Sequence, residues 1–284
     1  MSKVEKLKSF ISLNTRAIIG RAYPRVVGAN REPSWIFWET VLPLFSVGGL
    51  VYYYKALQTG MDADTQAFYV GLVVLSGAMI AFWLNVMWSI AAQMYWEREI
   101  GNLQLYMMAP CSRVSILLGM SFGGLTYTSV RAAASLIIGA VIFDATFILK
   151  EPLALAAVFF LTLVSLYGMG MLFSSLFLMW GRQAWHLSEL MMEPVYLVSG
   201  FWFPARALGT VVAAVASLLP MTLGLDAMRQ LLFDNPANPW LMPYQYELVF
   251  LGITGVLYFI AALYFLNFME NLGKKEGRLT MRWQ

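Results

Sequence analysis

The sequence predicts an all-α integral membrane protein of six spanning helices, and three observations carry that prediction. Hydrophobic residues make up 60% of the chain and charged ones only 12%, with a mean hydropathy of +0.65, which leaves too little polar surface for an ordinary soluble domain. Apolar runs recur between short charged or Pro/Gly-bearing stretches, and the longer ones can cross a bilayer core of roughly 30 Å. The basic residues fall on those runs with one consistent sidedness. The 284 residues suffice for a single transmembrane domain, divided into an interfacial segment over 1–31, a bundle over 35–269 and a tail over 270–284.

Composition also limits the chemistry. The one cysteine, Cys111, excludes an intrachain disulfide and any multi-cysteine metal site. The formal charge of +3 is small, and its basic residues gather at the two termini. That distribution fits an anionic leaflet or a cytoplasmic partner, and no long basic, aromatic-interleaved tract points to nucleic acid.

Taken in order, residues 1–31 combine Lys3, Lys6, Lys8, Arg16, Arg21, Arg25 and Arg31 with an intermittent apolar face of Leu7, Phe10, Ile11, Ile18 and Ile19. The pattern predicts an interfacial amphipathic helix, with a solvated basic tail as the alternative. It has no continuous apolar core, so no cleavable signal peptide is expected. The first span is expected over 35–54, with aromatic anchors at both ends, and the polar loop with Asp62 and Asp64 follows. The second covers 68–92, the third 114–142 with Arg131 interrupting it, and the fourth 152–179, opening on Pro152. The fifth, 187–203, is short and cut by Pro194 and Gly200. Residues 204–219 are apolar but too short to cross, and Pro204 and Pro220 bracket them, which predicts a re-entrant or interfacial segment. The sixth span covers 248–269 and leads to Lys274, Lys275, Arg278 and Arg282.

Orientation follows from the basic residues. With the N-terminus in the cytoplasm, the inner side carries the seven of residues 1–31, then Arg98, Arg113 and Arg182, then the four of the tail. The outer side carries only Lys55, Lys150, Arg206 and Arg229. Both termini are therefore expected to be cytoplasmic.

Between the second and third spans runs Glu97-Arg98-Glu99-Ile100-Gly101-Asn102-Leu103, continuing to Ala109-Pro110 and Ser112-Arg113. Lying between two membrane-length runs, it is expected in water at the cytoplasmic face. Ile100, Leu103 and Met107 recur at helical spacing beside Tyr106, which predicts one or two turns of amphipathic helix closed by Pro110. So short a helix needs a surface to dock on, an ordinary charged loop being the alternative.

No G-x-x-x-x-G-K-[ST] loop is present, so the chain is not expected to hydrolyse nucleotide, and H-E-x-x-H and G-x-S-x-G are missing too. The lone histidine, His186, reads as an interfacial residue. Charges within spans are costly and call for partners. Arg131 is one; Glu189 and Glu193 lie one turn apart on a shared face. An Arg131 to Glu193 pair would satisfy both, either as a structural ion pair or as part of a substrate path. Glu39 falls near the cytoplasmic interface, where it would be hydrated. No catalytic residue and no metal site is expected.

Two stretches carry a resemblance. Glu97, Arg98, Glu99, Gly101 and Leu103, followed by Pro110 and a Ser-Arg pair, resemble the first cytoplasmic loop of type 2 ABC-transporter permeases. The run 196–204, then Leu219-Pro220-Met221-Thr222 and Asp226-Ala227-Met228-Arg229, resembles that family's outer re-entrant region, with Gly200, Pro204, Pro220, Asp226 and Arg229 in the matching places. Asp226 and Arg229 at i, i+3 would form an exposed salt bridge there. Residues 199–204 and Arg31-Glu32-Pro33 are more similar to the permeases of drug, lipid and lipo-oligosaccharide exporters than to those secreting polysaccharide.

The resemblance implies that the 97–110 stretch is a cytoplasmic coupling helix docking on a separate ATP-binding subunit. It implies a homodimer meeting through spans one and five, two such ATPase partners holding ATP and Mg, and no cofactor in this chain. The setting would be a bacterial-type plasma (inner) membrane, and the activity outward movement of an amphipathic or lipid-linked substrate. Trp83, Trp88, Met191, Met192, Tyr196 and Trp202 could offer an adaptable path, with core or lipid packing as the alternative for each. Two other classes stand beside it. One is an intramembrane enzyme using His186, Glu189 and Glu193. The other is a scaffold or a gradient-driven transporter, although only one broken segment appears where such transporters carry a pair.

Overall fold

The computed structural model describes residues 3–31, 33–57, 63–180, 183–233 and 240–275, and no strand occurs among them. Helix α1 spans Lys3–Arg31, α2 Pro33–Leu57 and α3 Ala63–Val86. A π-turn at Met87–Ala91 joins α3 to α4, Gln93–Ile100, and α5 follows at Leu103–Met108. Then come α6, Arg113–Phe143, α7, Pro152–Trp180, and α8, Gln183–Val198. A 3₁₀ turn at Ala205–Leu208 leads to α9, Thr210–Ala216, α10, Pro220–Leu232, and α11, Tyr244–Lys275.

Apolar content and length decide which of these can cross a bilayer. Among the described residues four stretches qualify, Thr65–Ile100, Arg113–Phe143, Pro152–Phe177 and Tyr244–Gly273, and a fifth does if α9 and α10, bent by 108°, count as one span. The expected first span corresponds to the 25-residue α2, and the expected fifth to α8, which is only 16 residues long and contains Pro194. Asp62, Arg182, Arg278 and Arg282 lie outside the described residues, as do the side chains of Glu39, Asp64 and Lys274.

The core forms around α3. Leu72, Val73, Val74, Trp83, Val86, Met87 and Ile90 are all buried, because α2, α6, α7 and α10 pack around that helix. Trp83, one of the candidate path residues, is fully buried in this core. Helix α7 lies along α11, and α1 lies along α6. The α1 to α6 approach depends on Gly119 and Gly123, one turn apart: a Cβ on Gly119 would come within 2.7 Å of the Ile18 carbonyl oxygen, and one on Gly123 within 2.8 Å of Arg25 Cβ. At the start of α6, Asn14 Oδ1 of α1 accepts from the Ser112 backbone N–H at 2.8 Å and from Ser115 Oγ at 2.9 Å. It thereby caps α6 from another helix, since Ser112 makes no side-chain cap bond of its own.

Three expectations are corrected here. The second span does not end at residue 92; the helix carries on through the π-turn, where Ala92 N–H reaches back to the Met87 carbonyl at 2.9 Å, and ends at Ile100. Glu97 to Ile100 is thus the last turn of the central helix. Ile100 belongs to that turn and not to the short amphipathic helix, which is confined to Leu103–Met108. Arg131 does not interrupt α6, which is continuous from Arg113 to Phe143.

Candidate functional site

At one end of the bundle α4 and α5 form an elbow, and the residue between them explains its shape. Gly101 closes α4 with φ of 90°. That left-handed conformation is favourable for glycine, and it lets the chain reverse within two residues.

Glu97 is the centre of this elbow, and it is only 2% exposed. Its Oε1 accepts from Arg21 Nη2 of α1 and, at 2.7 Å, from Gln93 Nε2. Its Oε2 accepts from Asn102 Nδ2 at 3.0 Å and from the Tyr106 hydroxyl at 3.1 Å. A buried carboxylate is tolerated because one cation and three further donors surround it. Burial raises the Tyr106 pKa, which keeps the phenol a donor, and the Arg21 guanidinium beside it pulls the other way. Arg21 also lies over the Tyr106 ring, 5.4 Å from its centroid.

One turn along α1, Arg25 reaches into the bundle. Its Nη1 donates to the Ser89 carbonyl at 2.8 Å and its Nη2 to Ser89 Oγ at 3.2 Å. Ser89 lies within the π-turn, and such turns commonly mark functional positions. Asn85 Nδ2 donates to Ser89 Oγ at 3.2 Å, and the Tyr167 hydroxyl of α7 donates to Asn85 Oδ1 at 2.9 Å. A polar chain therefore runs from α1 through α3 to α7. On the other side, Arg113 Nη2 donates to Glu270 Oε1 of α11 at 2.9 Å, which ties the α6 start to the end of α11.

The elbow's outward surface is apolar. Ile100, Leu105 and Met108 are 64%, 60% and 75% exposed, and Pro110 and Gln104 are exposed beside them. Leu103 is buried beneath. Arg98 is buried next to the Tyr95 ring, 5.8 Å from its centroid, and Glu99 is half-buried with its Oε1 3.8 Å from Arg98 Nη2. Of the six residues singled out in this stretch, only Glu99 and Pro110 keep a polar group or ring at the surface.

The distal turn after α8 is clamped by α10. Arg229, 1% exposed, donates through Nη2 to the Gly200 carbonyl at 2.6 Å and to Ser76 Oγ of α3 at 2.7 Å. Gly200 has φ of 77°, and Pro204 follows, buried. Pro220 opens α10 at its first turn, where its missing N–H costs no bond. Asp226, also 1% exposed, accepts from the Leu241 N–H at 2.8 Å, and Gln230 Nε2 bridges it to Glu247 at 3.3 and 3.0 Å. The expected exposed Asp226 to Arg229 salt bridge is therefore corrected. Both side chains are buried and each holds a different segment, 200–201 for Arg229 and 241 for Asp226.

Arg131 and Glu193 do not meet. Arg131 is buried in α6 with its guanidinium 6.0 Å from the Tyr127 ring centroid, while Glu189, Glu193 and His186 are exposed on α8. Arg21, Arg25, Asn14, Tyr106, Gln230 and Glu247 carry much of both sites, and sequence reading missed these roles. The one local signal was Arg21 and Arg25 at i, i+4 in an otherwise apolar turn of α1.

A search among curated proteins finds no match. A family model described as ABC-2 type transporter matches residues 17–233. The matched region begins within α1 just before Arg21, takes in the elbow and the central helix, and ends at Phe233 beyond α10, so it covers Glu97 with its partners and Arg229 with Gly200, while Asn14, Leu241, Glu247 and Glu270 lie outside it. The chain belongs to the ABC-2 type transporter family and is a membrane permease subunit of an ABC transporter.

Proposed function

We propose that the chain is the permease of an ATP-driven exporter that moves an amphipathic or lipid-linked substrate outward, and that the elbow is its coupling helix. ATP and Mg are bound and hydrolysed in separate subunits, two of which serve a homodimer of this chain. Both termini and the elbow face the cytoplasm, α2 and α8 complete a six-span bundle, and the membrane is a bacterial-type inner membrane. The observation that carries this reading is the elbow's division of labour. An apolar outer face of Ile100, Leu105 and Met108 is available to a partner, while Glu97 beneath it is locked to α1.

A push on α5 then has a route inward. Tyr106 and Asn102 pass it to Glu97, and Arg21 passes it to α1, whose Arg25 holds the π-turn of the central helix. Glu97 acts here as a brace rather than as a docking group. The homodimer is supported by the exposed apolar side chains of α2, where Trp38, Phe45 and Tyr52 are more than half exposed, and of α8, where Leu190 and Leu197 are too. Glu189 and Glu193 lie on α8 where two copies would face each other across a path.

The test is isolation of the native complex from membranes, followed by ATPase assay with the variants Leu105→Asp and Met108→Asp. A co-purifying ATPase that is lost or uncoupled in these variants supports the exporter reading. Purification without any ATPase, with behaviour unchanged in both variants, sinks it.

A further inference from the structure

Helices α6 and α7 are consecutive, yet α6 packs on α3 and α7 on α11, and the two hardly touch each other. The space between them is a groove of about 730 Å³, open on one side. Met79 of α3 and Met228 of α10 form part of its floor, and Ala133, Ile137 and Ala140 of α6 face Ala156 and Phe160 of α7 across it. Small side chains on both walls leave the gap. Ser129 is the one hydroxyl in the lining, and its Oγ already donates to the Leu125 carbonyl at 2.8 Å. Nothing in the groove asks for a polar ligand.

The gap is held open by its mouth. The connection between α6 and α7 is pinned to the end of α10: Ile148 N–H donates to the Leu232 carbonyl at 2.8 Å, and Lys150 Nζ donates to the carbonyls of Gln230 at 3.1 Å and Phe233 at 2.9 Å. Leu149 and Pro152 line the groove at that level, which is where the two long apolar helices end. The groove therefore begins at the membrane interface and runs inward.

Its length and its lining select the occupant. Ser129 and Ala140, which both line it, lie eleven residues apart on α6, a rise of about 16 Å and so close to half of a hydrocarbon core of roughly 30 Å. Along that length the described lining offers apolar side chains and one hydroxyl already bonded within its own helix, which suits one extended hydrocarbon chain. Because the walls belong to stretches that meet the criteria for crossing a membrane, the medium at its open side is lipid.

We propose that this groove binds one acyl chain of a membrane phospholipid, taken from the leaflet opposite the elbow. The headgroup would lie beside the 144–151 segment. Asp144, Lys150 and Glu151 put both signs of charge there, so the site selects the chain and not the headgroup charge. The two flexible methionines of the floor adapt to chains of different shape. The proposal depends on the chain's lying in a bilayer and not on its coupling to ATP.

The test uses the full chain reconstituted in phosphatidylcholine nanodiscs containing a small fraction of phosphatidylcholine with a mid-chain diazirine. After photolysis, labelled peptides are mapped by mass spectrometry. Labelling should concentrate on the 129–140 and 152–160 stretches, with a several-fold loss in the groove-filling variants Ala133→Trp and Ala156→Trp. Val256→Trp, on the exposed surface of α11, should leave it unchanged. Thermal melting and gel filtration of each variant identify any that misfolds, and Ile137→Trp, at an already exposed wall position, provides an independent filling variant. Even labelling of all bilayer-facing helices, unaltered in properly folded filling variants, would overturn the proposal. So would a groove left unlabelled and instead cross-linked to a second polypeptide.

Discussion

Glu97 is the residue on which the elbow depends, and its environment states what its loss should do. Removing the charge weakens four hydrogen bonds, and bonds to charged groups contribute roughly 1.5–3 kcal/mol each when buried, with large discounts for repacking. Glu97→Gln should lower stability by about 2–3 kcal/mol, read as a drop in the thermal melting midpoint of the purified complex. Arg21→Gln should cost less, because Arg21 is partly exposed, and the double variant should fall short of the sum by about 1–2 kcal/mol. Additive losses would mean that the two residues act separately. At the distal turn, Gly200→Ala must adopt a left-handed conformation and press its Cβ to 3.1 Å from the Ala205 nitrogen and the Phe203 oxygen. Gly209→Ala meets no atom within 4 Å, but Gly209 lies at φ 87° and ψ 159°, a conformation essentially reserved for glycine, so its cost is that backbone strain, about 1–3 kcal/mol. Both substitutions should lower the melting midpoint; an unchanged midpoint for Gly200→Ala would show that the clamp by Arg229 leaves the turn room to move.

Between elements, the close approach of α1 to α6 decides whether the elbow is braced at all. Gly119→Leu inserts a side chain where even a Cβ lies 2.7 Å from the Ile18 carbonyl oxygen, so α1 must lift. Arg21 and Arg25 would then withdraw together, and protease cleavage within α1 should increase several-fold while the α7 to α11 pairing stays intact. Unchanged protection of α1 would contradict the packing described. This is also where sequence reading ran out. The existence of α1 and the short helix before Pro110 could be read from hydrophobic spacing and a proline stop. The burial of Glu97 could not, because its cation lies 76 residues earlier in the chain and the local pattern E-R-E reads as a solvated edge. Asp226 and Arg229 misled for a related reason. Spacing of i, i+3 allows a salt bridge, but side-chain direction and the carbonyls of a glycine turn decided otherwise.

For the whole molecule, the long apolar stretches announced the all-helical membrane fold, and the two motif-bearing stretches lie at opposite ends of the bundle. Span boundaries were harder, since the central helix stays helical through a π-turn whose Ser89 is held by Arg25 of α1, with Asn85 just before it held by Tyr167 of α7, neither of which is local in sequence. In the proposed coupling role, the apolar face of the elbow, and not its buried carboxylate, receives the ATP-binding subunit. The most direct measurement is the yield and ATPase rate of the complex purified from native membranes with Leu105→Asp, beside Ala207→Asp on an exposed turn at the far end. Leu105→Asp should lose the ATPase or its coupling while the chain stays folded, and Ala207→Asp should keep both. Retention of a fully coupled ATPase by Leu105→Asp and Met108→Asp would contradict it.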